Sequence, residues 1–101
     1  SMSKHTPGPW RFSTKPQPNG CPIIGNKKGV MLAMLSHSIN EFDQKDEAIA
    51  NARLIAAAPD LLEACQTLVD LPGTEDWLFT LEKAVDQARA AIAKATGEQH
   101  E

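Results

Sequence analysis

The stretch DEAIANARLIAAAPDLLEACQTLVD, residues 46–70, decides the fold. It carries the densest apolar periodicity in the chain, and a single proline, Pro59, divides it. Upstream of Pro59, the residues Ile49, Ala52, Ile55 and Ala56 recur at i, i+3, i+6 and i+7, the stripe of an amphipathic helix. Asp43 suits the N-cap, and Asp46 and Glu47 suit the first turn, where the helix dipole favours anions. A first helix is therefore expected to run to about Ala57. The run Ala56-Ala57-Ala58 makes a thin wall that admits another backbone closely. Proline is favoured in the first turn of a helix, and Asp60 beside it fits the same end. A second helix is therefore expected over 59–71, with Leu61, Leu62, Cys65, Leu68 and Val69 as its apolar face, stopped by Pro72-Gly73.

Working outward toward the C-terminus, Thr74 is a good N-cap and Glu75 and Asp76 follow it, so a third helix is expected from Glu75 to Thr96 with Gly97 as its C-cap. Leu78, Leu81, Val85, Ala88, Ile92 and Ala95 step by 3, 4, 3, 4 and 3, a heptad seam. Lys83–Asp86 and Asp86–Arg89 are solvated pairs on its polar side. The short connection makes the second and third helices an antiparallel hairpin.

Toward the N-terminus, prolines hold Ser3 to Pro9 extended. Trp10 to Ser13 alternates apolar and polar as a strand does, and Trp10 is expected to cap the core. Residues 14–20 read as loop, Cys21 to Ile24 as a second strand in which Pro22 must lie at a sheet edge or among the strand's first residues, and Gly25 to Gly29 as a hairpin turn. Val30 to Ser36 reads as a third strand that is apolar on both faces. A strand with one wet face alternates. Cover for the second face must come from the helices or from another subunit, and a sheet this short favours the latter, so a homo-oligomer is expected. Residues 37–42 are a linker. The fold class is α+β: a short antiparallel two- or three-stranded sheet followed by three helices. It forms one domain over 3–101, with an extended and β region at 3–36 and a helical region at 43–97. Ser1-Met2 is set aside as a processing remnant.

With 101 residues and a net charge of −3, the chain lacks the excess of cations that general duplex nucleic-acid binding requires. No apolar run is long enough for a membrane span and no secretory leader is visible, so cytoplasmic residence is expected. Cys21 and Cys65 lack the CxxC spacing of a metal or redox site. No nucleophile or phosphate-loop motif occurs, and His5, His37 and His100 lie far apart. Neither catalysis, nor a metal, nor a cofactor is indicated. Arg53 is the residue that stands out. Its helical neighbours Ile49, Ala50, Ala56 and Ala57 offer no acid, so its guanidinium needs a distant partner, a structural tie to another element, or an anionic ligand. Asn51 sits about 160° from it around the helix, so one ligand takes both only across a subunit interface. Arg11 is a further cation, as are Lys27 and Lys28 in the turn. Arg53, Asn51, Arg11 and Trp10 are the candidate ligand-binding residues, and a phosphate or carboxylate is what the Arg53 donor fork suits.

The boxes His5-Thr6-Pro7-Gly8-Pro9-Trp10 and Asn51-Ala52-Arg53-Leu54-Ile55-Ala56-Ala57-Ala58-Pro59-Asp60-Leu61-Leu62-Glu63-Ala64 together resemble a family of small proteins encoded by tailed bacteriophages and prophages. In that family a β-hairpin region separates an HTPGPW-like box from a NARLIAAAPELLEA-like helix pair. The resemblance implies phage origin more firmly than activity. In architecture the chain is also similar to phage counter-defence proteins that oligomerise and sequester cyclic nucleotide immune signals, the anti-Thoeris and anti-CBASS sponges. That likeness implies a nucleotide held at subunit interfaces. The alternative from the residues is a protein-docking module that uses the apolar third strand or the heptad helix.

Overall fold

Pro59 divides the long apolar stretch where its missing N–H predicts. In a computed structural model, which describes residues 4–13, 21–35 and 42–97 and only the backbone of 42–45, one helix, α1, spans Phe42–Ala56 and a second, α2, spans Ala58–Val69. Ala57 belongs to both hydrogen-bond systems. Its N–H donates to the carbonyl of Arg53 and its carbonyl accepts from Leu61 N–H at 2.9 Å. Proline at the start of α2 has no donor to lose there, and Asp60 stands in the first turn.

The third helix, α3, runs Trp77–Thr96 and ends on Gly97, whose φ of 78° is the left-handed C-cap that the sequence predicts. Its start is later than expected. Trp77 N–H bonds the Thr74 carbonyl and Thr80 N–H bonds Asp76, so residues 74–76 form a turn and no side chain caps the end. The N-cap role expected of Asp43 falls outside the described side chains, and α1 already includes that residue.

Three antiparallel strands, β1 Trp10–Ser13, β2 Ile23–Asn26 and β3 Met31–Met34, form a sheet in the order β1-β2-β3. The second strand begins two residues later than the sequence suggests: Cys21 and Pro22 are buried but precede it, and Pro22 has no N–H for the ladder. The β2–β3 connection is a turn with Gly29 at φ 85°. The Asn26 side-chain oxygen accepts from the N–H groups of Lys28 and Val30, and Gly29 N–H donates to the Asn26 carbonyl. This is the three-residue hairpin loop that asparagine and glycine favour. Register slips between Ile24 and Gly25. There the β3 backbone closes in so tightly that a Cβ on Gly25 would stand 2.9 Å from the Val30 carbonyl oxygen. Residue 36 lies outside the described residues.

The chain is therefore α+β, with a three-stranded antiparallel sheet followed by three helices, the last two packed together. Its extents are 56 × 27 × 21 Å. The core between the helices is built from small side chains: Ala48, Ala52, Ala56, Ala57, Ala64, Ala84 and Ala91 are buried, and Ile24 is the large apolar residue that is fully enclosed. This corrects the expected apolar faces. On α2, Ala64 and the half-buried Leu61 face inward, while Leu62, Leu68 and Val69 are exposed. On α3 the inward row is Ala84 and Ala91, and the larger half of the expected seam, Leu78, Val85 and Ile92, faces outward. Helices in close contact need small residues at the crossing, and a Leu there would hold the axes apart. Lys94 Nζ bonds Asp60 Oδ2 at 2.9 Å across α2 and α3, a part-exposed pair worth at most about 1 kcal/mol. The expected Lys83–Asp86 and Asp86–Arg89 pairs are not formed among the described residues. Neither cysteine forms a disulfide among the described residues; Cys21 is buried and Cys65 exposed. No described helix is long and apolar enough to cross a membrane.

Replacing Gly25 by alanine sets a methyl against the Val30 backbone, which cannot yield as a flexible side chain does. The variant should lose about 1–3 kcal/mol of folding free energy, read from the urea midpoint, whereas Gly73→Ala, which meets nothing within 4 Å, should leave the midpoint nearly unchanged. Equal midpoints for the two variants would show that the bulge does not need glycine.

Candidate functional site

Arg53 leaves α1 from its last turn and reaches across the molecule. Its guanidinium carbon stands 5.7 Å from the centroid of the Phe12 ring on β1. Gly97 is also close, for a Cβ there would fall 2.8 Å from the same carbon. The cation thus lies near both an aromatic ring and the C-terminal end of α3, where the helix dipole favours positive charge. No carboxylate pairs with it among the described residues. Phe12 and Gly97 are the neighbours that the structure places beside Arg53. Phe12 was missed as its partner; the alternation that places Trp10 and Phe12 on one face of β1 was the available signal.

The other three candidates are not gathered around it within one chain. Asn51 is exposed on α1. Trp10 is half-buried, its indole Nε1 donates to the Thr6 carbonyl at 3.0 Å, and the His5 ring meets it edge-on at 6.2 Å. Its polar atom is therefore engaged and one side of its ring is covered. Arg11 lies one residue along from Trp10 and so on the opposite face of the pleated strand. It is exposed there and lines a hollow of about 270 Å³ with Ile23, Gly25, Val30 and Met31.

That hollow belongs to the outer face of the sheet. Val30 is 52%, Met31 54% and Met34 45% exposed. Among the described residues β3 pairs with β2 alone. Leu35 N–H donates to the Pro22 carbonyl at 2.8 Å, so by the alternation of a strand the backbone groups of Met34 point away from the sheet. Among the described residues the result is an apolar strand edge whose outward backbone groups have no partner, with Arg11 at its side and two cations, Lys27 and Lys28, in the adjoining turn.

The two boxes that carry the phage resemblance meet in space. Gly8 packs so closely on Pro59 that a Cβ would stand 3.0 Å from the proline ring. Between them lies a groove of about 410 Å³, lined by His5, Gly8 and Pro9 on one wall and Pro59, Asp60, Leu62, Glu63 and Gln66 on the other. Asp60 and Glu63 also border a second hollow toward α3, where Gln87 Nε2 donates to Glu63 Oε1 at 3.4 Å and Gln87 Oε1 is buried with no partner among the described residues. Among the described residues no group of three His, Cys, Asp or Glu side chains is placed to hold a metal ion.

A family model described as Salmonella phage P22 protein Y8K6 matches residues 2–99. No curated protein and no solved structure matches the chain.

The Arg53 clasp predicts a specific coupling. A double-mutant cycle of Phe12→Leu with Arg53→Met should give an interaction of about 0.5–1 kcal/mol in unfolding free energy, the size of a part-exposed cation–π contact. Additive single and double variants would mean that the ring and the cation merely lie near each other.

Proposed function

We propose a function for this chain from one premise: it belongs to the family of the Salmonella phage P22 protein Y8K6. In our reading it is a phage-encoded accessory protein that works in the host cytoplasm by binding and not by catalysis. Its occupant is an extended, apolar segment of another protein that carries a carboxylate, laid along β3 and over the outer face of the sheet. The observation that carries this reading is the uncovered edge, where Val30, Met31 and Met34 are each about half exposed beside unpaired backbone groups.

Several physical features favour that occupant. An exposed apolar edge is a liability unless something pairs with it, because its open donors and acceptors invite another strand. Main-chain bonds to an added strand supply affinity, and alternate side chains supply specificity. Methionines adapt to varied apolar partners. Arg11, in the hollow beside Val30 and Met31, supplies a charge that orients the segment by pairing with its carboxylate.

A second reading rests on Arg53, whose guanidinium has no carboxylate among the described residues. In it the protein is a counter-defence factor that holds a nucleotide-type immune signal between subunits. The Phe12 ring already occupies one face of that guanidinium, and Arg11 is turned to the other side of the sheet, so a neighbouring subunit would have to complete the site. Fold and origin are the support for it, and neither fixes activity.

The two readings separate experimentally. A photo-crosslinking residue at Met34, in cells carrying the phage, should capture one protein other than the chain itself, and Arg11→Glu should cut the yield while Arg53→Ala does not. Equal capture from Val69, which is 81% exposed on the far helix, would overturn the sheet-edge reading. For the nucleotide reading, ultraviolet absorbance of the purified protein and calorimetric titration with cyclic nucleotides should show a ligand lost on Arg53→Ala. A flat titration removes it.

A further inference from the structure

The side of α3 that faces away from the chain's own helices carries Leu78, Val85 and Ile92, which are 51%, 40% and 53% exposed. They recur every seven residues. Between them, at the other core position of the same heptad, stand the half-buried Leu81, Ala88 and Ala95. A row of this period is the seam of a coiled coil, and here its larger members are left in water.

We propose that this seam is filled by the α3 of a second copy running antiparallel, so that two α2–α3 hairpins close into a four-helix bundle. The register follows from the residues. Antiparallel pairing sets each position of the first kind against one of the second, and one alignment uses all six: Leu78 against the partner's Ala95, Leu81 against the partner's Ile92, and Val85 against the partner's Ala88. Every layer but the Leu81 one then joins a large residue to an alanine, which brings the axes close and lets the layers interlock.

Charge selects that same alignment. Glu82 and Arg89 are both exposed, both flank the seam on its solvent side, and neither has an ion-pair partner among the described residues. In this register Glu82 of each copy meets Arg89 of the other, twice by symmetry. A slip of one heptad in one direction places Arg89 against Arg89, and in the other Glu82 against Glu82. Like charges across such a seam disfavour a register, and opposite charges select it. A face whose charges complement themselves in the one alignment that also fills every apolar layer is suited to a second copy of itself. An unrelated partner would have no reason to match it. The interface is isologous, as closed dimers require, and it leaves β3 free, so it holds whether or not the sheet edge binds a partner.

Sedimentation equilibrium of the full chain tests the proposal. The wild type should be a dimer, and Val85→Glu should be monomeric with its helical circular dichroism retained. Glu82→Arg alone should raise the dimer dissociation constant roughly tenfold through two repulsive contacts, and Glu82→Arg combined with Arg89→Glu should restore it. A monomeric wild type, a dimer indifferent to Val85→Glu, or a charge swap that fails to rescue would each overturn the assignment. So would a dimer lost on Met34→Glu instead, which would place the second copy on the sheet.

Discussion

Alanine on alanine is the contact that the rest of this structure depends on. Seven buried alanines line the approach of α1, α2 and α3, and they allow the helices to lie closer than leucine would. The gain is many short dispersion contacts along well-fitted backbones. The cost is small hydrophobic reach, since each methyl withdraws little area from water. In a chain of this size no second core makes up the difference. The larger apolar side chains therefore sit where the alanines are not, on the outer face of α3, the far side of α2, and the third strand. The same constraint that keeps small side chains inside thus leaves larger apolar side chains on the surface.

Much of the architecture was legible because its determinants are local. Pro59 and Asp60 mark a helix start by backbone chemistry alone, and so does Gly97 a helix end. Asn26 and Gly29 write their turn into the sequence, although the strand on either side is shifted by a residue or two. What was not legible is which side of each helix faces in. Apolar periodicity counts leucine as core, and on that count Leu62, Leu68, Leu78 and Ile92 belong inside. Close helix crossings obey size first, and Ala64, Ala84 and Ala91 take the inside positions.

The candidate site divides along the same line. Arg53 was legible as an oddity, because nothing on its own helix pairs with it. Phe12 and Gly97 were not legible as its partners, because both are remote in sequence. Arg11 and Trp10 look like neighbours on paper, and the pleat of β1 turns them to opposite faces. The outer face of the sheet was anticipated from the unbroken apolar run of the third strand. The groove between His5, Pro9, Pro59 and Glu63 was not, since it exists only where the two boxes touch. That contact gives one physical reason for the boxes to occur together: Gly8 lets the proline ring come so close that an added methyl would have to push it back.

The Arg53 clasp has a reach beyond its own stability. Phe12 belongs to the first strand and Gly97 to the end of the last helix, and one guanidinium touches both. The first strand and the end of the last helix therefore approach the same side chain of α1. Unravelling the last turn of α3 would free the cation to move off the ring. Lifting β1 from the sheet would loosen the helix end in return, a reciprocity that any coupling between two sites obeys.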